Sequence, residues 1–75
     1  MLKENCFVGS RIRALCDAEG IYTTKNVTGI IKKICTDACI VCFDIDVGGW
    51  DDEDFDINDN RGVYIGYDEI ELINS

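Results

Sequence analysis

The sequence predicts a single all-β domain, spanning residues 1–75 and built from five short strands. Three observations carry that expectation. Apolar residues alternate with polar ones over short runs, so a period of two dominates and no segment sustains a helical period with caps. Proline is absent and seven glycines punctuate the chain, which leaves the turns to glycine, asparagine and aspartate. At 75 residues the chain buries only roughly 60–65% of the surface its unfolded form exposes, too little for a core and a deep catalytic cleft together.

The elements follow in order. Gly9 to Cys16 forms a first strand, with Ile12, Ala14 and Cys16 on one face and Arg11, Arg13 and Leu15 on the other. Asp17 to Asn26 is a polar connection. Val27 to Ile34 is a second strand, where Gly29 marks a bulge or bend and Lys32-Lys33 point outward. Thr36-Asp37-Ala38 turns the chain into a third strand, Cys39 to Val47, with Val41, Phe43 and Ile45 set against Cys42, Asp44 and Asp46. An acidic loop occupies 48–60. Gly62 to Tyr67 is a fourth strand with Val63 and Ile65 opposite Tyr64. Tyr67-Asp68-Glu69 makes one helical turn, and Ile70 to Ile73 closes the chain as a fifth strand.

Two stretches resemble peptide-binding SH3 domains. Arg13-Ala14-Leu15-Cys16-Asp17-Ala18-Glu19 is similar to their Ala-Leu-Tyr-Asp-Tyr opening, and Gly62 to Ile73 resembles their last strand, helical turn and final strand. Val27-Thr28-Gly29-Ile30-Ile31-Lys32-Lys33-Ile34 is similar to the glycine-bearing strand of KOW-type barrels. The resemblance covers residues 8 to 73 and implies a five-stranded SH3-like barrel with a short helical turn before the last strand. It does not extend to proline-rich ligands. Cys16 and Ala18 stand where the groove tyrosines would be, and the paired tryptophans have no equivalent, whereas polyproline recognition requires an aromatic-lined groove.

Charge carries the functional argument. The net charge is −8, unevenly spread. Residues 1–33 hold six bases against three acids, while residues 34–75 hold Arg61 against twelve acids. Such asymmetry attracts basic partners and repels phosphates from the acidic half. The densest stretch follows Gly48-Gly49, where Asp51, Asp52, Glu53, Asp54, Asp56 and Asp59 are interleaved with Trp50 and Phe55. Unpaired carboxylates cost several kcal/mol each when buried, so this segment is expected to project as a loop. Its acids would meet a basic surface, and its aromatics would either anchor the contact or fold back over the end of the barrel.

Other chemistries find little footing. Without histidine no Cys-His or Ser-His nucleophilic pair exists, and no glycine motif cradles phosphate, so the chain is expected not to be an enzyme. Read as an EF-hand loop, Asp54, Asp56 and Asn58 fit the first, third and fifth positions. Asp59 and Ile65 then stand where glycine and glutamate are required, so no metal is assigned. Cys35-x3-Cys39-x2-Cys42 lacks a second pair for zinc. The five cysteines are expected to be free thiols, mostly filling the core, and no cofactor is implied. Met1 to Asn5 lacks an apolar leader and no apolar run reaches membrane-span length, which points to a cytoplasmic location without membrane contact.

The function this implies is non-enzymatic protein binding, with the acidic loop docked on a basic protein that handles nucleic acids. Small acidic inhibitors from phages and mobile elements, such as anti-CRISPR proteins that mimic DNA, work through size and charge of this kind. Two alternatives stand beside it. One is a KOW-like barrel binding RNA or ribosomal components through Arg11, Arg13, Lys32 and Lys33, against which the acidic half counts. The other is a general adaptor barrel.

Overall fold

In a computed structural model of the chain, residues 3–73 are described. They form six antiparallel strands and short 3-10 turns. The strands are β1 (Arg11–Ala14), β2 (Thr28–Ile34), β3 (Ala38–Phe43), β4 (Trp50–Asp52), β5 (Ile57–Gly66) and β6 (Ile70–Leu72). Their order in the sheet is β4-β5-β3-β2-β1-β6. The all-β expectation holds, with two differences. There are six strands in place of five, because the acidic segment contributes β4. The hydrogen-bonded sheet is also open, with β4 and β6 as its edges, so the five-stranded closed barrel is not what is seen.

Alternation decides what each strand buries. Ile12 and Ala14 of β1 face the core with Ile31 of β2, Cys39, Val41 and Phe43 of β3, Val63 and Ile65 of β5 and Ile70 of β6. Two pairings show how the sheet keeps charge out of that core. Ile31 opposes Val41, yet Lys33 opposes Ile40, so β2 carries one extra residue at Lys32. Strict alternation would turn Lys33 to the buried side of Ile31. The bulge reverses the parity, sends Lys33 out and returns Ile34 to face Cys39. The bulge therefore sits at Lys32 and not at Gly29. Gly29 serves a different purpose, since a Cβ there would lie 2.8 Å from the Cys42 carbonyl oxygen.

β3 ends sooner than its alternation predicts. The Asp44 N–H donates to the Thr28 carbonyl at 2.9 Å, after which the chain turns and leaves Ile45 57% exposed. Val47 takes the core position in its stead.

The 15–27 connection is held from within. Fully buried Thr24 accepts the Ala18 N–H at 2.9 Å and donates to the Cys16 carbonyl at 2.7 Å. Lys25 N–H donates to the Asp17 carboxylate at 3.1 Å. The Tyr67–Glu69 turn, placed where the sequence puts a helical turn, buries Tyr67, whose hydroxyl donates to the Cys35 carbonyl at 2.5 Å. Among the described residues, no buried side-chain nitrogen or oxygen lacks a partner.

Thr24 yields a direct test. Thr24→Val strands a buried N–H and a carbonyl and is expected to cost about 1–3 kcal/mol. Thr24→Ser keeps both bonds and is expected to cost roughly 1 kcal/mol or less. Urea unfolding of the two variants measures the difference.

Candidate functional site

The acidic segment is an ordered hairpin and not a projecting loop. Gly49 and Gly62 make this possible. A Cβ on Gly49 would sit 2.0 Å from the Gly62 carbonyl oxygen, and one on Gly62 would sit 2.7 Å from that of Trp50. With no side chain on either, the backbones meet, and the Asn60 carbonyl accepts N–H bonds from Gly49 at 2.9 Å and Val47 at 3.3 Å. Trp50 then pairs with Gly62 and Asp52 with Ile57. Two steps along β4 thus oppose five along β5, and the surplus forms a wide bulge. Asp59 and Asn60 turn it in the left-handed region, at φ 60° and 58°, which their short polar side chains tolerate. Arg61, the only base after residue 33, closes the bulge by donating to the Asn58 carbonyl at 2.9 Å and the Asn58 side-chain oxygen at 2.7 Å.

The six acids sit along this hairpin. Asp51 is exposed and accepts the Asn60 N–H at 2.9 Å. Asp52 is half-buried and caps the Glu53–Phe55 turn by accepting the Asp54 N–H at 3.0 Å. Glu53, Asp54, Asp56 and Asp59 are exposed, with Asp56 in the left-handed conformation that ends the turn. The only ion pairs among the described residues are Arg11–Asp44 and Arg13–Glu71, so none of the six is neutralised by one. Packing a local acid cluster this way is tolerable only where water screens the repulsion.

The aromatics do not project freely. Trp50 is half-buried and meets Tyr22 edge to face, with ring centroids 6.4 Å apart at 72°, a contact that ties the hairpin to the 15–27 connection. Phe55 is half-buried under Lys33, whose ammonium lies 5.8 Å from the ring centroid. Sequence reasoning missed two apolar side chains nearby, Ile21 at 71% and Ile45 at 57% exposure. Nothing in the pattern marks them, because Ile45 continues the alternation of β3 and Ile21 stands beside an aromatic.

The four bases of the nucleic-acid alternative are dispersed in role. Arg11 donates twice to Asp44, at 2.9 and 3.0 Å, and once to Thr28. Arg13 binds Glu71 across β1 and β6. Lys33 covers Phe55, and Lys32 is the half-buried bulge residue. The Arg11 guanidinium, with the Thr28 hydroxyl, holds the Asp44 carboxyl below the usual carboxylate range despite partial desolvation.

Cys16, Cys35, Cys39 and Cys42 are free thiols, Cys39 buried and the other three half-buried, and Cys6 is buried as well. Core filling thus describes two of them fully. Burial pushes the Cys39 thiol up to about 12, and its S–H points to the Ile65 carbonyl at 3.7 Å. Among the described residues no group of three potential ligands converges on a metal position, no pocket opens in the surface, and no helix is long and apolar enough to cross a membrane. Comparison with protein-family models, curated proteins and solved structures returns no match to this chain.

Gly49→Ala is expected to detach β4, costing about 2 kcal/mol or more. Its signature is faster amide exchange at the Asn60-bonded N–H groups of Val47 and Gly49, and the loss of Trp50 from its place beside Tyr22 shifts the fluorescence. Asp44 sets a pH test. A native carboxyl with a lowered pKa contributes stability that is complete above about pH 4 and disappears as acid protonates it. Both partners are more than a third exposed, so screening limits the pair to about 1 kcal/mol or less. The stability gap between the native chain and Asp44→Asn should therefore be present at neutral pH and close as pH falls below that range, which chemical denaturation across pH reads directly.

Proposed function

We propose that this chain is a non-enzymatic protein-binding module whose acidic hairpin docks on the basic surface of a partner that handles nucleic acids. The observation that carries the reading is the set of six carboxylates at 51–59, five of them exposed and none in an ion pair among the described residues. A surface of that kind is costly to maintain in isolation and gains most when an opposing cationic surface covers it. The hairpin is also ordered before binding, through Asn60, Asp51 and Asp52, which lowers the entropy lost on association. The occupied surface on the partner would be its phosphate-binding groove, so that the chain acts as an inhibitor by charge mimicry, in the manner of phage anti-defence proteins.

The scaffold reading that accompanies it is an SH3-like barrel. In its support, β6 returns beside β1, the arrangement that brings a meander of strands towards closure, with β4 as an addition to the far edge. Binding to RNA through Arg11, Arg13, Lys32 and Lys33 has less behind it, since Arg11 and Arg13 are engaged by Asp44 and Glu71.

Salt and competition test the proposal. Immobilised protein should retain basic nucleic-acid-binding proteins at about 50 mM salt, release them by about 500 mM, and lose them to added duplex DNA. The variant with all six acids changed to amides should retain none. Retention indifferent to salt and to those substitutions would refute the reading.

A further inference from the structure

We infer that β5 offers a contact of its own, apart from the hairpin acids. Past the end of β4, its free edge takes a short extended peptide segment, paired antiparallel, with Lys or Arg opposite Gly66 and an apolar residue opposite Tyr64.

The parity of the hydrogen bonds shows that this edge is open. The Cys35 N–H donates to the Ala38 carbonyl and the Asp44 N–H to the Thr28 carbonyl, so Ala38, Ile40 and Cys42 turn their backbone groups to β2. Cys39 and Val41 then turn theirs to Ile65 and Val63, their partners on β5. Gly62, Tyr64 and Gly66 therefore point their N–H and C=O groups away from β3. Gly62 meets Trp50 there, and β4 goes no further. The chain arrives at Gly49 from buried Val47, and both residues bond to the Asn60 carbonyl. The Gly66 carbonyl, at the N-cap of the Tyr67–Glu69 turn, is used by that turn. The Gly66 N–H and both backbone groups of Tyr64 have no hydrogen-bond partner among the described residues. Tyr64 is 43% exposed and Gly66 half-buried, so an incoming strand can reach these three groups.

Charge complementarity at Gly66 names the occupant. A Cβ on that glycine would lie 3.2 Å from Glu69 Oε1 and 3.8 Å from Asp68 Oδ1, and neither acid is in an ion pair among the described residues. Alternation puts this position on the same face as the Tyr64 side chain. A residue paired with Gly66 has its Cβ roughly 5 Å across. A Lys or Arg stem there crosses the bare glycine and brings its charge to the two carboxylates, whereas an acid would be repelled. Two residues along the incoming strand, on that same face, the next side chain lies beside exposed Tyr64, where a β-branched or aromatic residue packs well.

The test titrates the end-blocked peptide Thr-Lys-Thr-Val-Thr into isotope-labelled protein at about 150 mM salt. Saturable binding is expected, with slowed amide exchange at Tyr64 and Gly66 and no change at Val63 and Ile65, which β3 already holds. N-methylation of the peptide's Val removes the N–H aimed at the Tyr64 carbonyl and should abolish binding. N-methylation of its central Thr, which faces away, should leave most of it. Replacing the peptide's Lys by Glu should weaken binding about tenfold or more, and Asp68→Asn/Glu69→Gln in the protein should remove most of that preference. Changing the six hairpin acids to amides should leave the exchange protection in place, so this edge and the hairpin's proposed role fail separately. Equal effects of the two methylations, or no saturation by about 1 mM peptide, overturns the pairing. A Lys preference untouched by the Asp68 and Glu69 substitutions overturns the assignment of the cation to Gly66.

Discussion

Where the backbone at Gly49 runs against Gly62, there is no space for a single additional carbon. The acidic half of the molecule is organised around that contact. It lets the Asn60 carbonyl reach Val47 and Gly49, which starts β4, seats Val47 in the core and holds Trp50 at the sheet edge. Without it, residues 48–60 would be a solvated loop whose like charges favour extension. The two glycines turn the most strongly repelling stretch of the chain into one of fixed shape.

Order here is obtained without neutralisation. The hairpin acids that make hydrogen bonds accept backbone N–H groups, as Asp51 and Asp52 do. The nearby bases are committed elsewhere, Arg61 to Asn58 and Lys33 to the face of Phe55. Backbone N–H groups stabilise a carboxylate without cancelling its net charge, so the field persists beyond the surface. The acids also lie along the β4 edge, where charged side chains discourage indiscriminate pairing with another strand. The same residues can therefore guard an edge and, under the function proposed above, select a basic partner.

Legibility varied with the physics involved. Val63 and Ile65 against Tyr64, the Tyr67–Glu69 turn and the Thr36–Ala38 reversal are all local patterns, and each is found where the alternation or turn chemistry puts it. Ile45 departs from the pattern because alternation cannot report where a strand stops, and the pairing with β2 ends at the bond from Asp44 to distant Thr28. Gly29 suggests a bulge or bend from sequence because a glycine in a strand serves either for a bend or for a close approach. Only its neighbour across β3 distinguishes the two. Among the site residues, the acids were evident from composition, but the partners of Trp50 and Phe55 were not.

The amino-acid order by itself determined that the chain is all-β, which faces of its longer strands are apolar, and that a dense anionic stretch must meet water, since these follow from side-chain period and the cost of burying charge. Tertiary structure decided that the stretch becomes a hairpin with a sixth strand, that Lys33 leaves the core through a bulge, and that Ile21 and Ile45 stand exposed. Those outcomes depend on contacts between residues far apart in the chain, where backbone spacing and register leave no trace in any local pattern.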